Sequence, residues 1–289
     1  MRRHKLNWIW IILLGLFVGS CEDYLDRSPD DGLSEDDVYK DYSSLLGFMD
    51  RIFQNDDILI FTHGINSYSN TYVTVGNLSD EYASVRDNDP SKFVNAGNWL
   101  ENAGTRFEIG SKSDGKNFKS AISRAYTGLR IVNRVISGVD QVKSITDDQR
   151  KKLLGQAHFL RAYFYWMLIR SFGPVPIVPD EGVDYTKEYD DIAYPRNTYD
   201  ECVDYIAEEL VKAATMLDDT RDVQNIVRPT RGAALALRSR VLLYAASPLF
   251  NERPIEPGNE LIGYASYDRN RWKEAAKAAK EFIDEYGPE

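Results

Sequence analysis

Few side chains in this chain are suited to metal or nucleophilic chemistry: three histidines (His4, His63 and His158) and two cysteines (Cys21 and Cys202). No two histidines stand at a metal-ligand spacing. There is no HExxH, no GxSxG nucleophile turn and no glycine-rich phosphate loop. His158 falls inside a strongly apolar helical pattern, where a hydrogen-bonded structural imidazole is expected rather than a general base. Asp30-Asp31 and Asp36-Asp37 lack the alternation and central glycine of a calcium loop and read as a solvated helix start. Carboxylates are abundant, but nothing singles out a pair for general acid and base work. The residue types predict a binding protein, not an enzyme, with no cofactor and no metal.

Cys21 is the residue placed for a covalent step. Arg2, Arg3 and Lys5 precede an uninterrupted apolar run from Trp8 to Val18, about 16 Å as a helix and well short of the ~30 Å of a bilayer core. That is the build of a signal peptide. Val18-Gly19-Ser20-Cys21 resembles a lipobox, whose cysteine is acylated and becomes the first mature residue. The expected divisions are a signal peptide over 1–20, a lipidated Cys21 with an acidic tether over 21–33, and a body over 34–289. Cys202 is then left alone, so no disulfide is possible, and its setting among Tyr199, Val203 and Ile206 predicts a small buried apolar role. The net charge of −10 becomes −13 once Arg2, Arg3 and Lys5 leave with the signal (−10 − 3). Such an acidic chain excludes nucleic acid as a partner and leaves the lipid as the membrane attachment.

The elements of the body are mainly helical. Ser34 with Asp37 opens a stripe of Val38, Tyr42, Leu45, Leu46, Met49 and Phe53. Residues 55–117 then read as a long irregular excursion, with a short helix near Leu78 to Arg86 and alternating pieces such as Tyr72-Val73-Thr74-Val75. Loops of that length inside a domain tend to be functional. Helical periodicity returns at Ile122 to Ile136, and Thr146-Asp147-Asp148 starts a helix that is apolar on nearly all sides up to Gly173-Pro174. Tyr199 to Leu217, Arg231 to Ala246 and Trp272 to Ile283 continue the series. Antiparallel helix pairs with short turns predict an all-α, tetratricopeptide-like solenoid with long irregular loop excursions.

Four segments in order resemble the SusD/RagB family of outer-membrane nutrient-binding lipoproteins from Bacteroidetes. They are GQAHFLRAYFYWMLIRSFGPVPIV (Gly155 to Val178), RNTYDECVDYIAEELVKAATML (Arg196 to Leu217), RPTRGAALALRSRVLLYAASPLFN (Arg228 to Asn251) and RWKEAAKAAKEFID (Arg271 to Asp284), behind a lipobox start with Tyr24-Leu25-Asp26. Ile122 departs from the tryptophan usual there. Members usually carry a further C-terminal half that contributes loops to the ligand site, so the resemblance places this chain at the N-terminal portion. It implies a surface lipoprotein that captures oligosaccharides and hands them to a SusC-like TonB-dependent transporter in the outer membrane.

Sugar rings stack their C–H faces on aromatic rings and bind amide, carboxylate and guanidinium groups through their hydroxyls. The resemblance accordingly carries ligand contact over to Trp99, Asn102 and Arg86, with Tyr68 and Tyr72 as weaker candidates and a small satellite core under the loop as the competing role for Trp99. Arg161, Tyr163, Tyr165 and Trp166 read as scaffold, with Arg161 paired to a carboxylate or a helix end. Two other readings stay open: uptake of peptides on the same scaffold, and a helical-repeat platform for surface proteins with no small ligand.

Overall fold

The computed structural model describes residues 34–54, 65–67, 71–73, 112–113, 116–117, 121–181, 187–253 and 255–287. The signal peptide, Cys21 and the tether lie outside them, as does the helix expected over 78–86.

The first stripe forms two helices where its pattern predicts one. Helix α1 (Glu35–Val38) starts on a reciprocal capping box between Ser34 and Asp37 and ends at Tyr39. Helix α2 (Tyr42–Gln54) follows at once. The cause of the break is local: the Asp41 carboxylate accepts the Ser44 N–H at 2.8 Å and so starts a second helix, because a side-chain oxygen there satisfies a donor that the helix start leaves open. Tyr39 turns inward, its hydroxyl donating to the Arg134 carbonyl at 2.9 Å. Leu45, Met49 and Ile52 of α2 are fully buried.

Helix α3 (Ala121–Gly138) and helix α4 (Asp147–Phe172) form the first long hairpin, joined through a 3-10 turn at Val139–Gln141. Thr146 and Gln149 cap α4 reciprocally, and Asp147 and Asp148 sit at the positive end of its dipole. Helix α4 buries residues around most of its circumference, from Leu153 to Ile169. It is therefore the central post, with α3 on one side and the later helices on the other. It ends at Gly173, whose φ of 74° few residues but glycine adopt without strain.

A short helix α5 (Tyr189–Ile192) precedes helix α6 (Tyr199–Met216), which Thr198 and Glu201 cap as a third box. Helix α7 (Arg231–Ala246) starts on Thr230, and helix α8 (Arg269–Tyr286) on Asp268. Each long helix packs against the next: α3 on α4, α4 on α6, α6 on α7, α7 on α8. The body is thus all-α and tetratricopeptide-like, as expected.

Among its described residues the excursion carries two short strand pairs. Strands β1 (Ile65–Ser67) and β2 (Thr71–Val73) pair antiparallel with Ile65 opposite Val73, and β3 (Lys112–Ser113) pairs with β4 (Lys116–Asn117). The alternating Tyr72-Val73 piece lies in β2, which suits its β-branched and aromatic residues.

Candidate functional site: the loop end of the solenoid

Three parts of the chain meet at one end of the bundle: the start of α3, the segment between α4 and α6, and the segment between α7 and α8. Tyr126, in the second turn of α3, donates its hydroxyl to the Pro176 carbonyl at 2.9 Å, which places the start of α3 beside the exit of α4. The Tyr199 N–H reaches the Glu260 carbonyl at 2.8 Å and Arg196 reaches that of Leu261 at 3.2 Å, which brings the α7–α8 connection to the same end.

The stretch Pro174 to Asp180 has no regular structure of its own, and three prolines remove backbone donors from it. Several of its remaining polar groups are met by side chains from neighbouring helices and their flanks. The Val178 N–H donates to the Tyr165 hydroxyl at 2.9 Å, and the Ile177 N–H to Asn197 at 2.9 Å. Asn133 donates to the Pro179 carbonyl at 3.3 Å, and Arg196 Nε to that of Pro174 at 2.7 Å. These bonds matter because buried backbone polar groups without partners are costly. Burial pushes the hydroxyl pKa of Tyr126 up to about 12 and raises that of Tyr165 further. It also raises the Cys202 thiol, which is buried against the Val175 carbonyl, so this cysteine is packing and not a reactive group.

Beneath this segment lies a buried charge network centred on Glu209, which is fully buried in α6. One carboxylate oxygen accepts from Arg161 Nε at 2.7 Å and from His158 Nδ1 at 2.7 Å; the other accepts from Lys212 at 2.8 Å. Arg161, 2% exposed, also pairs with Asp180 at the end of the irregular segment. Burial alone would push the Glu209 carboxyl up, but the hydrogen bonds from His158 and Arg161 outweigh it and hold its pKa at about 2. An ionised carboxylate can only accept, so His158 carries its proton on Nδ1. Both carboxylate oxygens of Glu209 are engaged within this constellation, and Arg161 joins it to Asp180. Its chemistry is to fix the 174–180 segment to α4 and α6, and His158 and Arg161 have the scaffold roles expected of them.

A second clasp holds the connection between α7 and α8. After α7 the chain makes a π turn at Pro248–Glu252 and buries Asn251. The Asn251 amide donates to the Asp268 carbonyl at 3.0 Å, and its oxygen accepts the Asp268 N–H at 3.0 Å and Arg271 Nη1 at 2.8 Å. One side chain thereby closes the base of the loop over residues 252–267. Replacing Asn251 with alanine is expected to open it, so that a glutamate-specific protease cuts after Glu260 at least about tenfold faster. Unchanged cleavage there would show that the loop is held by other contacts, such as the Tyr264 N–H to the Phe250 carbonyl at 3.0 Å.

These fixed loops present apolar side chains to solvent: Tyr194 (40% exposed), Leu261 (38%), Tyr267 (55%) and Ile255 (81%). Tyrosine rings held at a surface offer an apolar face and a polar tip together, a combination suited to ligands that carry both kinds of group. The residues expected to contact ligand, Trp99, Asn102 and Arg86, lie outside the described residues, as do Tyr68 and Cys21. Tyr72 lies in β2 opposite Asn66. Sequence reasoning missed Glu209 and Asn251. The signal for Glu209 was present, since it stands three residues after Ile206 and seven after Cys202, on the buried face of α6. Asn251 carried no such signal, because its role depends on the π turn before it.

A helical-hairpin solenoid with a clasped, irregular loop end is the class that this fold defines. The chain belongs to the SusD-like family: residues 23–243 match the family model SusD-like_3, described as starch-binding associating with outer membrane. Among solved structures, a SusD-like protein from Bacteroides fragilis shares the fold at a TM-score of 0.54 and 21% identity, over 89% of this chain and 41% of that one. A SusD-like carbohydrate-binding protein from the same species aligns at 0.53 and 17%, over 86% and 41%. A SusD superfamily protein from Bacteroides vulgatus aligns at 0.51 and 15%, over 85% and 43%. This chain therefore spans about two fifths of the length of those proteins. No curated protein matches it. Among the described residues no helix is long and apolar enough to cross a membrane.

Proposed function

We propose that this protein is a surface glycan-binding lipoprotein, held in the outer membrane by a lipid on Cys21, that captures oligosaccharides and passes them to a SusC-like TonB-dependent transporter. The observation that carries this reading is the family match over residues 23–243, with its description as starch-binding and outer-membrane-associated. The loop end is consistent with it. Rigid helices hold irregular segments there, and binding residues are disproportionately found on loops positioned by such a scaffold. Trp99, Asn102 and Arg86 supply the stacking face and the bidentate polar groups in this reading.

Calorimetric titration of the purified lipid-free protein against a panel of soluble polysaccharides and a peptide pool tests it. Binding of one glycan, weakened at least about tenfold by Trp99→Ala, is the expected result. Binding of peptides alone would replace the ligand class. A folded protein that binds neither would leave a scaffold role in its place.

A further inference from the structure

The break between α1 and α2 makes the first helix a separable piece. Helix α1 is complete in itself: Ser34 and Asp37 cap it reciprocally, and the Tyr39 N–H closes on the Glu35 carbonyl. Helix α2 does not depend on it. The Asp41 carboxylate accepts the Ser44 N–H, and the Asp41 carbonyl takes the first helical bond, from the Leu45 N–H at 3.1 Å. Residues 39–41 are therefore a joint at which α1 can leave without unwinding α2.

What fastens α1 is the last turn of α3. The Tyr39 hydroxyl donates to the Arg134 carbonyl at 2.9 Å, and the Arg134 guanidinium pairs with Glu35. The Tyr39 ring lies across Gly138, where a β-carbon would fall 2.3 Å from it, so this slot exists because residue 138 has no side chain. The φ of Gly138, −108°, is open to any residue, so close approach of Tyr39 is the reason for glycine here. Val38 is buried beside the slot, whereas the ion pair is solvent-screened, with side chains 40% and 70% exposed. One valine, one hydroxyl bond and one screened pair are a light fastening, of the kind that opens well before the long helices do.

Gly138 ends α3, and Tyr126 near the start of α3 stands at the loop end, so α1 is fastened at the opposite end of the bundle. We propose that α1 is a releasable strap, buckled by Tyr39 into the Gly138 slot, that sets how far the body can stand from the membrane. This rests on the reading of Cys21 as the lipid anchor. Ser34 comes thirteen residues after Cys21, and Asp41 twenty. At about 3.5 Å per extended residue, the docked strap limits the reach from lipid to body to about 45 Å, and its release raises that limit to about 70 Å. The docked strap also ties the end away from the loops to the lipid surface. Release changes reach alone, because α2, α3 and α4 keep their own caps and core.

The test has two arms. In the lipid-free protein, the Val38 amide is expected to exchange its hydrogen at least about tenfold faster than the Met49 amide of α2. Gly138→Ala places a β-carbon in the slot and is expected to speed Val38 at least about tenfold more, with Met49 and Leu129 unchanged. Tyr39→Ala, which leaves α3 as it is, is expected to do the same. Exchange of Val38 in step with Met49 in all three proteins overturns the strap. In the second arm, lipidated protein carries a donor dye at Lys143→Cys, in the turn between α3 and α4, on phosphatidylcholine vesicles with a headgroup acceptor dye. Energy transfer is expected to fall at least about twofold in both variants as the reach lengthens. Equal transfer in parent and variants overturns the role in setting reach. Protein that washes off the vesicles for want of a lipid overturns the anchor on Cys21 and the reach with it, while the exchange rates still decide whether α1 is releasable.

Discussion

Arg161→Met is expected to lower the stability of the fold by about 3–5 kcal/mol, because it leaves the Glu209 carboxylate buried without its principal partner. For a chain of this size that is a fall of about 10 °C in Tm. The double variant Arg161→Met with Glu209→Leu should recover much of the loss, for a reason the network itself supplies. Lys212 and Asp180, whose side chains are about half exposed, can return to water, whereas Arg161 and Glu209 cannot. The two single variants and the double form a thermodynamic cycle, read by urea or thermal unfolding. If the double variant lost as much as the two singles together, the Arg161–Glu209 pair would have no special standing.

The same network predicts a pH dependence. Glu209 titrates at about 2 in the folded protein, below its ordinary value of 4.5, since burial raises it less than His158 and Arg161 lower it. A carboxyl with a depressed folded pKa stabilises above its unfolded pKa and loses that contribution as the pH falls through the folded one. The stabilisation is thus complete above about 4.5 and drains away towards pH 2. Glu209→Gln should flatten the stability profile across that window while leaving its shape at neutral pH unchanged. A variant profile as steep as that of the parent would remove Glu209 as the cause.

Gly128→Ala and Gly47→Ala are expected to change stability with opposite signs. Both glycines lie inside helices, where alanine is intrinsically better by about 1 kcal/mol. At Gly47 in α2 nothing stands within 4 Å of the added carbon, so that gain is realised. At Gly128 in α3 the carbon would fall 2.3 Å from the Phe164 ring, which is fully buried in α4. Overpacking of this kind costs about 1–3 kcal/mol, so the net change at Gly128 is a loss of up to about 2 kcal/mol. Phe164→Leu in the Gly128→Ala background removes the ring face and should return part of it. Thermal melts of the three variants decide the matter; a stabilised Gly128→Ala would mean that α3 can shift away from α4.

Much of the fold was legible because its helix starts are written in adjacent residues. Thr146 with Gln149 and Thr198 with Glu201 each form a complete capping box within four positions, and Gly173-Pro174 ends α4 as locally as it is spelled. Legibility failed where a local feature competed with a longer pattern. The stripe from Val38 to Phe53 continues in phase across residues 39–41, yet Asp41 starts a new helix there. It failed again where partners are distant in sequence: Glu209 and Arg161 are 48 residues apart, and nothing in the acidic pair Glu208-Glu209 tells which one faces in except the phase of α6. Within the candidate site, the clasp at Asn251 depends on Asp268 and a π turn, neither of which has a compositional marker.

The neighbour-on-neighbour order of the long helices also bears on how the molecule is made. Each of α3, α4, α6, α7 and α8 packs chiefly on its neighbours in the helix series, so loop closures are short and the folding rate should be high for so long a chain. A polypeptide that emerges from a pore end-first can use this. The α3–α4 hairpin holds its own caps and much of its own core before α6 arrives, and each later helix adds to a surface already formed. Glu209 is the exception. Until α6 docks, Arg161 waits on α4 without its carboxylate, so closing that pair is the step at which a growing stack of hairpins becomes a single cooperative unit.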